Sequence, residues 1–174
     1  MPTTLPRAIL FLLGFALALY LLGPLVHPRP ARGDDALPSA PLTELESRLH
    51  EAVNRSRAEH HRLPLQRMAA LDRTARAHSG DMAARRFLAH ESPEGLNPVD
   101  RLERAGVDGF SLAGENVGMT SRGDPNREIL EGWLVSPVHR ENLLAPAFNA
   151  TGIGVARGPD GALYYTQVYV TFPR

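Results

Sequence analysis

The sequence predicts an α+β domain in which helices cover both faces of an antiparallel sheet. Three observations predict it: helical periodicity dominates residues 44–88, β-rich runs come late around a Pro-Asp-Gly turn, and the last run is apolar on both faces.

The first element is not part of that domain. Arg7 is followed by an uncharged, almost wholly apolar run over residues 8–26, which would be about 29 Å long as a helix and so could reach across a bilayer. Residues 1–27 are therefore expected to be a signal peptide or N-terminal membrane anchor, and the protein to be exported. Anchoring is favoured because no Ala-x-Ala site follows directly, while cleavage near Leu37-Pro38-Ser39-Ala40 stays open. Arg7 on one side and Arg29 and Arg32 on the other leave the orientation unset. Residues 28–42 are rich in Pro, Ala and charge without apolar period and read as a linker to a domain over 43–174.

Within the domain, Leu45, Leu49 and Val53 recur at helical spacing, and Thr43 with Glu46 forms a candidate capping box. Leu71, Ala75, His78 and Met82 mark a second helix over 68–88. Asn97, Pro98 and Gly106 bracket a short third helix as cap, first residue and stop. Ile129, Leu130, Trp133 and Leu134 give a fourth helix its buried side, and Ser136 can cap a further turn beginning at Pro137. Strands are expected over 110–118, 151–158 and 162–172. In the last, Leu163, Tyr165 and Tyr169 share one face and Tyr164, Val168 and Val170 the other. Gly152 and Gly154 alternate with Ile153 and Val155, a pattern that suggests close backbone packing.

Composition excludes several function classes. Nineteen basic residues balance nineteen acidic ones, so the field that would draw the chain to nucleic acid is absent. All the basic residues are arginine, which removes Schiff-base and P-loop lysines. Cys is absent as well, and thiol nucleophiles, disulfides and acylated cysteines go with it. An exported, cysteine-free domain suits a bacterial envelope.

The residues that could carry chemistry are His90, Glu115 and His139, each at the edge of an element. Two imidazoles and a carboxylate make a sufficient set for zinc or another divalent cation with one position open, although gaps of about 25 residues match no local metal motif. Each has a plainer role open to it: His90 fastening its loop, Glu115 exposed by strand alternation, His139 capping or packing. His60 and His61 suit the carbonyl end of a helix, and His78 reads as a core histidine. Ser136 lacks an oxyanion hole or orienting acid, and Asn54 and Arg57 read as structural hydrogen-bonding residues.

The segments from Ala52 to Gly95, then Gly-Glu-Asn-Val-Gly at 114–118, Trp-Leu-Val-Ser-Pro-Val-His-Arg-Glu-Asn at 133–142 and Gly-Ile-Gly-Val-Ala with Tyr-Tyr-Thr-Gln together resemble the CAP superfamily. This group takes in cysteine-rich secretory, antigen 5 and pathogenesis-related proteins, and the resemblance is to its bacterial SCP-like members. It covers roughly residues 44–172. It implies a three-layer α-β-α sandwich with a central antiparallel sheet and a surface cleft, in many members lined by two histidines and two glutamates that can bind zinc. His90 matches the first histidine, with Glu91 inserted before Ser92, and Glu115 matches the Gly-Glu-Asn glutamate. The second glutamate is missing near Ser136, and Tyr164 and Tyr165 stand where the second histidine is expected, so His139 would supply that imidazole. Tyr165 and Gln167 are expected in the cleft wall.

The resemblance implies a non-enzymatic envelope module that binds a lipid or cell-wall component in the cleft. The alternative is a metal-assisted hydrolase using His90, Glu115 and His139. Ligand, metal and oligomeric state are not set by the sequence.

Overall fold

The computed structural model describes residues 40–173. The apolar N-terminal run and nearly all of the linker lie outside the described residues. Among the described residues no helix is long and apolar enough to cross a membrane.

In chain order the elements are α1 (Leu42–Glu59), β1 (Gln66–Arg67), α2 (Ala69–Arg85), α3 (Pro98–Arg104), β2 (Leu112–Thr120), α4 (Pro125–Val135), α5 (Pro137–Leu144), β3 (Ala150–Arg157) and β4 (Leu163–Thr171). The strands lie in the order β1-β3-β4-β2. β4 pairs antiparallel with both β2 and β3. β1 departs from the antiparallel expectation, pairing parallel to β3 through Gln66↔Ala150 and Arg67↔Thr151. Two residues are too few to give an alternating pattern, and backbone bonds from Gln66 and Met68 to Asn149 and Thr151 are what define the strand.

Helices cover both faces, as the doubly apolar β4 required. On one side Leu49 and Val53 of α1, Trp133 of α4 and Leu143 of α5 pack with Ile153, Leu163, Tyr165 and Tyr169. On the other, Leu71 and Ala75 of α2 and Leu102 of α3 pack with Val168 and Val170, while Met82 meets Val117 and Tyr164. This is the three-layer sandwich.

The glycines of β3 set the spacing of the second face. A Cβ on Gly152 would lie 2.1 Å from the Leu71 carbonyl carbon, and one on Gly154 2.1 Å from the Arg76 nitrogen. Backbone meets backbone there, so α2 lies directly on the strand. Asn54 and Arg57 take the structural roles expected. Asn54 accepts from Leu65 N–H and donates to its carbonyl. Arg57, fully buried, donates to the carbonyls of Leu63, Leu143 and Ala145.

Two caps differ from expectation. α1 starts at Leu42 with Pro41 as N-cap and no side-chain cap. Thr43 therefore lies inside the first turn, and the Glu46 carboxylate binds Arg67 and Arg76 instead, because two guanidinium groups outcompete a backbone N–H. Ser136 is the N-cap of α5 by position, yet its hydroxyl caps nothing. α3 has the full box, Asn97 with Asp100, behind Pro98. α2 stops where Arg86 turns left-handed at φ 57°, three residues short of the apolar pattern. That turn releases the loop bearing His90.

Candidate functional site

Glu115 lies in β2 opposite Val168, so its side chain shares the face covered by α2 and α3. It is 5% exposed, and a carboxylate so placed requires partners. His90 Nδ1 lies 3.0 Å from Oε1. Arg101 of α3 donates to Oε2 at 2.7 Å. His78 of α2 brings Nε2 within 3.9 Å of Oε1.

Arg101 also fixes the loop. Its other terminal nitrogen donates to the carbonyls of His90 at 2.8 Å and Leu96 at 2.7 Å. One guanidinium thus holds both the carboxylate and the backbone that presents the histidine. Since only a donor can face a carboxylate, His90 carries its proton on Nδ1, and Nε2 of the neutral ring is an acceptor. Its side chain is 18% exposed.

β2 is an edge strand, and its outer carbonyls are capped by side chains. Trp133 Nε1 donates to Val117 O and Asn142 Nδ2 to Glu115 O. Asn116, on the face opposite Glu115, donates to the His139 carbonyl at 2.9 Å and accepts from Asn142. These bonds seat the first turn of α5 beside the His90 loop. The His90 and His139 rings lie 6.4 Å apart between centroids, tilted by 51°. Of the three residues singled out in the sequence, His90 thus bonds Glu115 and has the His139 ring beside it.

Burial opposes ionisation of Glu115, but the His90 hydrogen bond and the charges of Arg101 and His78 outweigh it and hold its pKa below the usual carboxylate value. Burial lowers the His78 pKa against the pull of Glu115. Burial first, and then the neighbouring His90 ring, lower that of His139. At neutral pH the site is one carboxylate, one guanidinium and neutral imidazoles at His78 and His139.

These residues do not fit a zinc centre. Among the described residues no group of three or more His, Cys, Asp or Glu side chains converges as metal ligands would. Glu115 already spends Oε2 on a cation and Oε1 on an N–H. What the arrangement offers is a hydrogen-bonding imidazole held in one tautomer by a buried acid.

Two residues expected in the cleft wall lie elsewhere. Tyr165 and Gln167 are fully buried, on the face toward α1, α4 and α5. Tyr165 donates to Asn126 of α4, while Gln167 donates to Thr151 and accepts from Tyr169. Strand alternation puts odd-numbered β4 residues opposite the Glu115 face. Arg101 and His78 were missed as site residues. A buried carboxylate demands a cation, and the helix between His90 and Glu115 in sequence offers Arg101. For His78 the core reading is correct as far as it goes, since it is 2% exposed.

Comparison with known proteins identifies the family of the chain. The uncharacterized protein YkwD of Bacillus subtilis is 31% identical over 145 residues, covering 82% of this chain and 54% of that protein. The uncharacterized membrane protein YlbC of Bacillus subtilis is 33% identical over 128 residues, covering 74% and 35%. An extracellular protein containing an SCP domain from Bacillus anthracis superposes with a TM-score of 0.66 at 32% identity, covering 74% of this chain and 41% of that one. The chain thus spans about half or less of the length of these relatives. The model of the cysteine-rich secretory protein family, CAP, matches residues 50–169, and the chain, though it contains no cysteine, belongs to that family.

Proposed function

We propose that the protein is an exported CAP-domain module of the bacterial envelope that binds a lipid or cell-wall component at the β2 edge. His90, Glu115 and His139 would form the contact site, and the N-terminal apolar run would serve as export signal or membrane anchor. The observation that carries this reading is the Glu115–His90 pair. A buried, ionised carboxylate fixes one tautomer of the partly exposed His90 imidazole, and a second imidazole stands beside it. Such an arrangement suits a ligand hydroxyl or amide, which could donate to one ring and accept from the other. The extracellular SCP-domain relative supports the export part.

The test is binding of residues 39–174 to phosphatidylglycerol vesicles and to a disaccharide-peptide fragment of cell wall, with His90→Ala and His139→Ala alongside. One ligand should bind, and both variants should lose it while keeping the wild-type circular dichroism. Binding that survives both substitutions, or no binding to either ligand, would sink the proposal.

A further inference from the structure

A groove of about 390 Å³ lies between α1 and the start of α4, on the face of the sheet opposite Glu115. Its α1 wall is made by Leu45, Arg48, Ala52 and Arg55. Their spacing of three, four and three residues is one stripe of a helix, about 15 Å long from Leu45 to Arg55 at the usual rise per residue. Leu45 is buried, whereas Ala52 and, from α4, Leu130 are half-buried and leave apolar surface in the groove. Arg48, Arg55 and Arg127 border it, and among the described wall residues only Asp124 is acidic. The three arginines are exposed, and each pairs with an acid within a turn of itself, Glu44, Glu51 and Asp124. Exposed pairs of that kind contribute little, so the wall keeps an excess of positive charge.

The chain itself leads into this groove, because Ala40, where the described residues begin, is part of its wall. The residues before it read Asp34-Asp35-Ala36-Leu37-Pro38-Ser39. Pro38 disfavours a helical conformation at Leu37. At about 3.3 Å per extended residue, Leu37 reaches about 10 Å from Ala40 and the two aspartates about 17 to 20 Å. On α1, Ala52 lies about 10 Å from Leu45, and Arg55 about 15 Å. An apolar side chain thus comes opposite the apolar part of the groove and two acids opposite its arginine end.

We propose that the groove is the seat of the chain's own residues 34–39, laid antiparallel to α1, with Leu37 against Ala52 and Leu130 and the aspartates at Arg55. Seating them would leave residues 27–33 as the free connection between the apolar run and the domain, and would fix which face of the domain turns toward that run. His90, Glu115 and His139 do not line the groove, so the proposal stands apart from the β2-edge reading.

The chain has no cysteine, so an introduced pair reports on itself alone. The test is made on the full chain in detergent micelles, equilibrated in glutathione buffers. The pair Leu37→Cys with Ala52→Cys is compared with Leu37→Cys and Ser47→Cys, Ser47 being exposed on another side of α1. Cysteine keeps a small apolar side chain at both groove positions. The groove pair should show an effective concentration roughly tenfold or more above the control pair. Asp34→Asn with Asp35→Asn, or 1 M salt, should lower it severalfold without moving the control. Thermal melts check folding, and Arg48→Cys, at an exposed position, replaces Ala52→Cys if that variant does not fold. Equal effective concentrations in the two pairs, or a groove pair indifferent to the aspartates and to salt, would overturn the proposal. Disulfides formed mainly between chains would assign the groove to a second copy and overturn it too.

Discussion

Two buried carboxylates in this domain look alike by exposure and differ in their partners. Glu46 of α1 is 1% exposed. It receives Arg67 at 3.0 Å, Arg76 at 2.5 Å and the Val155 N–H at 3.3 Å, so it fastens α1 to α2 and to β3. Glu115 receives one guanidinium and one imidazole, with a second imidazole 3.9 Å away. Arginine stays charged at any pH a protein survives, whereas imidazole titrates near neutrality. Burial of a carboxylate therefore says only that it needs partners, and the kind of partner separates a structural fastening from a site.

The largest effect should come from breaking the fastening. Glu46→Gln leaves the Arg76 guanidinium without its carboxylate and Arg67 with Asp72 alone, unties Val155 N–H from a charged acceptor, and should cost about 3 kcal/mol in urea unfolding. Ligand binding by the folded fraction should be unaltered. Glu115→Gln should cost less, about 2 kcal/mol, because the amide oxygen can still accept from His90 while Arg101 loses its charge partner. The same variant should abolish binding at the β2 edge. A larger loss of stability at Glu115 than at Glu46 would reverse the assignment of roles.

Acidification sharpens the contrast. Burial holds His78 below its ordinary pKa of 6.5, so the unfolded chain takes up a proton at a pH where the folded one does not. His139 behaves in the same sense. Stability should fall as pH drops below 6.5 toward the folded values. Glu115, held below 4.5, contributes stability above that value and loses it as pH falls further, through its folded pKa. Melting temperatures measured from pH 7 to 4 should decline in the wild type and decline less in His78→Gln. The smallest effect is expected for His139→Ala, about 0.5 kcal/mol. Its ring is half-buried, and the bond to Asn116 uses its backbone carbonyl, which alanine retains.

Much of the fold could be read from the chain because its signals are local. Asn97 and Pro98 start α3 as expected, and the faces of β4 divide as the alternation of tyrosine and valine required. Gly152 and Gly154 pointed to close packing without naming α2 as the partner. Of the site, the Glu115–His90 contact and the nearness of His139 were legible. The placement of Tyr165 and Gln167 was not, because resemblance implies a cleft position while strand parity decides the face.

What remained was a matter of which distant segments converge. Periodicity, capping and turn chemistry act over a few residues, so composition and pattern were enough for the helices, the hairpin and a sheet covered twice. That Arg101 would bridge Glu115 and the His90 loop, that Glu46 would leave its cap for two arginines, and that β1 would join the sheet in parallel all depended on long-range packing. A hydrogen bond is set by positions in space, and a separation of 14 residues between Arg101 and Glu115 carries no information about the 2.7 Å between their atoms until α3 is laid against β2.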